Sequence, residues 1–204
     1  MKIEFIYSHL NGLEWIITHQ KELWKEVKDS IESVNSEDCK TKISKEKTMK
    51  GRVLYSPQKM NIDIKEQLSN RGWTEERMNY YVTSDPKITS EIIHKSENEQ
   101  KKEIEDKDLI PIHSYHQTDF VKNRVSIEVQ FGKYPFIEFD LFVKHLGFFH
   151  NNKIDLGIEI IPTKILQSEM SSGPGYYERT LTHILRNGRG TPPVPLIVVG
   201  VQQD

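Results

Sequence analysis

Apolar positions along the chain recur with two periods, and the changes between them outline the elements. Residues 2–7, KIEFIY, have strand character. From Gln20 to Val34 the apolar residues Leu23, Trp24, Val27, Ile31 and Val34 return every three or four positions and trace one face of a core-packing helix. Ser56-Pro57 opens a further helix that Arg71-Gly72 closes, with proline in the first turn and glycine as the stop. A strand is expected over 79–83, NYYVT. Residues 86–108, where Glu and Lys alternate, are expected to be exposed and partly helical. From Gln117 the apolar residues become dense, with strand-like segments at 118–121, 124–131, 153–161 and 195–201. Between them, 134–149 (YPFIEFDLFVKHLGFF) is apolar on most sides and reads as a buried helix started by Pro135. Residues 174–187 read as another helix, closed by Gly188. Strands alternating with helices point to an α/β architecture around a central sheet. No repeat or low-complexity linker interrupts the pattern, so residues 1–204 are read as a single domain.

Composition narrows the function classes more than it names one. Net charge is −2 and the pI about 6.5, with 28% charged residues and a mean hydropathy of −0.61. A protein that coats nucleic acid by electrostatics alone would be basic, so a histone-like role is disfavoured. A specific binder that meets a few phosphates and several base edges can be neutral overall. The one concentrated basic run, 40–52 (KTKISKEKTMKGR), reads as a solvated loop or, more sharply, as an arm that touches phosphates. Cys39 is the only cysteine, which excludes an intrachain disulfide and a cysteine-rich zinc site. No segment approaches the ~20 apolar residues of a membrane span, and the N-terminus lacks a signal-peptide pattern, so a cytoplasmic location is expected and no membrane partner. The chain has no alanine, which says nothing of mechanism.

Chemistry concentrates between Asp119 and Lys133, DFVKNRVSIEVQFGK. Val125, Ile127, Val129 and Phe131 alternate with Ser126, Glu128 and Gln130, so the first set faces a core and the second faces water, a metal or a ligand. A turn at Lys122-Asn123-Arg124 would fold Asp119 back beside Glu128. Two carboxylates held that way, with the carbonyl of Val129, make an oxygen-rich site suited to Mg²⁺. Water on such an ion could attack a phosphodiester. Gln130 could orient the water or bond a phosphate oxygen, but an amide is no base. Read on spacing alone, the same pattern fits a surface hairpin with ordinary polar residues.

The pattern Asp119-X8-Glu128-X-Gln130 resembles the PD-(D/E)XK nuclease signature in the variant that has Gln in place of the final Lys. Longer stretches, among them YSHLNGLE (7–14), NYYVTSDPK (79–87), QTDFVKNRVSIEVQFGKY (117–134), DLFVKH (140–145) and EMSSG (169–173), resemble the BstYI/BglII-like Type II restriction endonucleases, and the BstYI side of that family most closely. The resemblance implies a restriction-endonuclease-like α/β fold with a central mixed sheet flanked by helices. It further implies a homodimer on double-stranded DNA, Mg²⁺-dependent hydrolysis at a GATC-centred palindrome, and a cognate DNA methyltransferase in the host. By position, Asp119, Glu128 and Gln130 would be the catalytic residues, with Asp119, Glu128 and the Val129 carbonyl on the metal. Lys133 and Ser172 would read the outer base pairs, with Ser171 and Arg189 as further DNA contacts. Lys133 and Ser172 agree with the BstYI-like members, which implies purine-GATC-pyrimidine. The likeness fades over 89–113 and 148–153, so any additional acidic residue is left to guesses at Glu103 or Glu105.

Other residues carry plainer readings. His145 and His150 are expected to be core or edge residues. Trp15 and Trp24 are expected in the core or a dimer contact, and Lys122 and Arg124 in solvent. Arg186 and Arg189 suit either phosphates or a helix C-terminus. Two other functions stay open: a GATC-site binding protein that does not cleave, and a nuclease directed at branched or nicked DNA.

Overall fold

The computed structural model describes residues 1–45, 47, 49–170 and 173–204. Strand β1 (Lys2–His9) leads into helices α1 (Gly12–His19) and α2 (Lys21–Glu32), then a small hairpin of β2 (Lys42–Ile43) and β3 (Val53–Leu54) and helix α3 (Pro57–Ser69). Next come β4 (Thr74–Val82), α4 (Pro86–Ile92), α5 (Glu97–Glu105), β5 (Ile112–Lys122) and β6 (Val125–Val129). A helical run follows: α6 (Tyr134–Phe139), a π-wound turn (Asp140–Lys144) and α7 (His145–His150). The chain ends with β7 (Leu156–Pro162), α8 (Lys164–Ser168), α9 (Tyr177–Arg186) and β8 (Leu196–Gln202).

The six long strands form one mixed sheet in the order β1-β8-β7-β6-β5-β4. Strands β6, β7 and β8 run parallel, while β1, β5 and β4 are antiparallel to their neighbours. Strands at the parallel centre are covered on both faces, which explains their near-continuous Val and Ile content. On one face Val125, Ile127 and Val129 join Leu156, Ile158, Ile160, Ile197 and Val199 under residues of α2 and α3. On the other, Leu196 and Val198 pack with Ile137, Leu141, Tyr177 and Ile184 of the 134–150 run and α9. The amphipathic stripe read in the sequence is α2: Leu23, Trp24, Val27 and Ile31 are all buried.

Local chemistry sets the boundaries. Ser56 caps α3 by accepting the Lys59 amide, Pro57 occupies its first turn, and Gly72 takes φ +82° after its end. Asn123 and Arg124 both have positive φ and form a two-residue loop between Lys122 and Val125, the geometry that matches strand twist in a hairpin. Lys122 and Arg124 are not idle at this turn. Lys122 pairs with Glu26 at 2.8 Å, and Arg124 holds Asp155 through two nitrogens.

Two expectations need adjustment. Of the water, metal or ligand expected on the polar face of β6, water is closed off: all five residues of the strand are buried, and Ser126 and Glu128 meet His145 and Lys144 of the 134–150 run. That run is not apolar-buried on most sides, since Tyr134, Phe136, Phe139 and Val143 are exposed. The basic stretch 40–52 supplies the two-residue strand β2 and the connection to β3, and its described residues from 44 to 52 are loop and turn, with Glu46 and Thr48 outside the described residues. Among the described residues no helix is long and apolar enough to cross a membrane.

Gly157 on β7 shows how closely the cover fits. A Cβ there would lie 2.5 Å from Nδ1 of His145 and 2.7 Å from Leu196 Cδ2. Gly157→Ala is therefore expected to cost about 1–3 kcal/mol by overpacking, read as a lower urea midpoint with an unchanged slope.

Candidate active site

Hairpin register brings the first two candidates together. Phe120 pairs with Ile127, Val121 with Ser126 and Lys122 with Val125, so continuing the ladder sets Asp119 opposite Glu128 on one face. Asp119 Oδ2 accepts the Val129 amide at 3.2 Å, and Oδ1 accepts from Lys65 of α3 at 2.7 Å. Glu128 lies deeper, 2% exposed, beside Glu159 at the matching position of β7.

The 134–150 run completes the cluster from above. Lys144 Nζ stands 2.7 Å from Glu128 Oε2 and 2.8 Å from Asp140 Oδ1. Asp140 Oδ2 accepts the Gln130 Nε2 amide at 3.0 Å, while Gln130 Oε1 accepts from Gly132 N at 2.9 Å. The Gln130 amide is thus oriented from both ends. Its backbone N–H bonds Ile160 O, so Gln130 continues the ladder to β7 one residue beyond β6. The π-wound turn holding Asp140 and Lys144 is a type of helix defect often found at functional sites.

Burial dominates the electrostatics. It raises the Glu128 carboxyl to about 8, with Lys144 opposing and Asp140 and Asp119 reinforcing the rise. Asp140 is raised by the same cause, against the pull of Lys144 and Gln130. Burial works against the Lys144 charge, yet Glu128 and Asp140 together hold the ammonium above the usual lysine range. One ammonium therefore serves two carboxylates. Behind it, His145 Nδ1 meets Ser126 Oγ at 2.9 Å, and its Nε2 lies 3.4 Å from Glu159 Oε2. Burial and then Lys144 push His145 down to about 3, while burial drives the Glu159 carboxyl well up. Both shifts favour the uncharged forms. The expectation of a structural His145 agrees with that placement.

Among the described residues no group of three or more His, Cys, Asp or Glu forms a ready metal cage. The donor set nonetheless fits a hard cation that keeps several waters. Asp119, Glu128 and the Val129 carbonyl are all oxygen donors, and Glu128 Oε1 is buried without a partner. Lys65, Asp140, Lys144 and Glu159 were not found by sequence reasoning. An Asp–Lys pair four apart inside an apolar helix, DLFVK, was the available signal. Glu103 and Glu105 lie elsewhere, on α5 against β4, paired with Lys95 and Lys101.

Lys133, at the N-terminus of α6, is exposed and bridges to Pro174 in an isolated antiparallel contact. Tyr134 N donates to Gly173 O, and Gly175 N to Gly132 O, each at 3.2 Å. The segment carrying Lys133 therefore lies along 173–175. Ser171 and Ser172 lie outside the described residues. Arg189 is exposed in the turn after α9.

The histidine yields a test with a defined sign. His145 binds a proton more weakly folded than unfolded, so its contribution is present above about pH 6.5 and is lost as pH falls towards 3. Glu128 and Glu159, raised when folded, change in the opposite sense. The difference between wild type and His145→Gln at each pH isolates the histidine. The acid-side loss of unfolding free energy is expected to be shallower in the variant, and equal slopes would refute this assignment.

The restriction endonuclease BglII/BglIII family model matches residues 5–201. Two solved structures share the fold. One is restriction endonuclease BglII complexed with a DNA 16-mer, at 20% identity and TM-score 0.69, covering 100% of this chain and 79% of that one. The other is free BglII, at 19% identity and TM-score 0.57, covering 100% and 81%. No curated protein sequence matches the chain. With a family match over nearly its whole length and a six-stranded mixed sheet flanked by helices, the chain belongs to the restriction endonuclease BglII/BglIII family of Type II site-specific deoxyribonucleases.

Proposed function

We propose that this enzyme hydrolyses double-stranded DNA at R^GATCY, using Mg²⁺, and leaves 5′-phosphates on four-base 5′ overhangs. The observation that carries the proposal is the hairpin register that sets Asp119 opposite Glu128, with Glu128 Oε1 buried and unpartnered beside it. In this reading Asp119, Glu128 and the Val129 carbonyl hold the ion. When bound, it supplies Lewis acidity at the scissile phosphate and lowers the pKa of a coordinated water.

The residues do the positioning. Gln130, its amide fixed by Asp140 and Gly132, orients the attacking water or a phosphate oxygen. The water gives up a proton as its oxygen bonds to phosphorus, the bond to the 3′ oxygen breaks, and that oxygen takes up a proton and leaves as a hydroxyl. Lys133 donates to guanine in the major groove at the outer base pair, and the loop with Ser171 and Ser172 meets the other side. Its placement along 173–175 supports that pairing of readers. Arg189 is assigned to phosphate.

A palindromic site calls for two-fold symmetry, so the working unit is a homodimer. The exposed Phe136, Phe139 and Val143, on the helical run beside the acids, support burial of that face against a second copy. Host DNA would require protection by a cognate methyltransferase.

A digest of sequenced plasmid in Mg²⁺, with EDTA as control and run-off sequencing of the ends, is expected to show cuts confined to R^GATCY. Asp119→Asn and Glu128→Gln are expected to lower cleavage by at least roughly 100-fold with unchanged circular dichroism. Wild-type rates in either would overturn the assignment. No cutting from folded wild type would favour a binding protein, and sequence-blind cutting of branched DNA a structure-directed nuclease. Lys133→Ala is expected to relax discrimination at the outer pair by about 1–3 kcal/mol, measured as relative cleavage rates on oligonucleotides that differ only there.

A further inference from the structure

A buried carboxylate needs a counter-charge or a proton, and the centre of this sheet holds several acids. Glu128 and Asp140 are 2% exposed each, and the cation that meets both is Lys144. Lys144 itself is enclosed, with its side chain 15% exposed. Its ammonium takes one oxygen from each acid. Asp140 spends its second oxygen on Gln130, and Glu128 Oε1 is left open. The π-wound turn places Asp140 and Lys144 together over β6.

We propose that Lys144 is a built-in stand-in for the divalent ion. Resting on the reading of Asp119 and Glu128 as metal ligands, this assigns to Lys144 the task of holding the acid site together before metal arrives. Asp140 is the anchor that retains the ammonium when Glu128 turns to the incoming ion. Lys144 is thus a positioning residue: it acts on Glu128, not on the scissile phosphate. Three features separate this from an incidental ion pair. The ammonium lies on the proposed ligand itself, it leaves one ligand oxygen free, and its anchor also orients Gln130. A protein built this way keeps its fold without metal. Removing the ammonium transfers that stabilising duty to the ion.

The test is thermal unfolding of the full chain without DNA, in EDTA and in saturating MgCl₂. In EDTA, Lys144→Met is expected to melt about 5–10 °C below wild type, because one partner of a buried pair is gone. Lys144→Arg is expected to stay near wild type. Mg²⁺ binds the folded state only and raises its melting point, and the rise is expected to be larger in Lys144→Met than in wild type. Adding Asp119→Asn to Lys144→Met is expected to abolish the extra rise, which ties it to this site. If Lys144→Met does not fold in EDTA, Lys144→Gln, which can still donate to both acids, takes its place with the same expectation. An EDTA melting point equal to wild type, or an equal Mg²⁺ shift in both proteins, overturns the proposal. If Mg²⁺ shifts no variant while wild type still cuts DNA, the stand-in role fails and the nuclease reading survives. If wild type neither shifts nor cuts, the nuclease reading itself falls.

Discussion

A carboxylate buried in the middle of a mixed sheet is the constraint on which the rest of this molecule depends. Strand β6 has β7 on one side and β5 on the other, with helices over both faces, so Glu128 has almost no solvent. Leaving it charged and unpartnered would cost several kcal/mol. The molecule responds by crossing β6 with a helical run that delivers a cation and a second acid, and by letting protons settle where burial favours them. Burial favours the uncharged forms of Glu159 and His145, and Lys144 is the shared cation of Glu128 and Asp140. The π-wound turn brings Asp140 and Lys144 to that carboxylate, and Gly157 leaves room for the neighbouring His145.

The two faces of the sheet consequently obey different rules. One is dry and apolar, and α2 and α3 close it with Leu, Ile, Val and Trp. The other mixes aliphatic packing with a polar strip running from Ser126 through Glu128 to Glu159. The dry face supplies apolar burial opposite the buried acids. Lys65 is the exception that links them: it comes from α3 and reaches Asp119.

How much of this could be read from the chain depended on whether the signal was local. The Asp119–Glu128 hairpin was legible because a two-residue turn fixes register and strand alternation fixes the face. Capping at Ser56 and the stripe of α2 were equally local. What failed was non-local. Alternation in 124–131 is the mark of a strand with one wet face, yet here the polar face is covered by a helix that begins only a few residues later. The same helix looked apolar on most sides, and its exposed aromatics became visible only once its partner sheet was known. Asp140 and Lys144 were missed because polar residues in an apolar helix declare themselves only through what they face. The short β2–β3 hairpin was hidden by its charge.

Segment 130–134 is held from two sides. Gln130 is tied to Asp140 and to the β7 backbone, while Gly132 and Tyr134 are laced to Gly175 and Gly173. Such a span has little slack: a ligand that tugs the Lys133 side chain pulls on a strap whose other end is the Gln130 amide. On the roles proposed for Lys133 and Gln130, reading and cutting would share one linkage between residues three apart in the chain. On that proposal fidelity would need no distant relay, because a badly seated base pair would misalign the amide before chemistry begins.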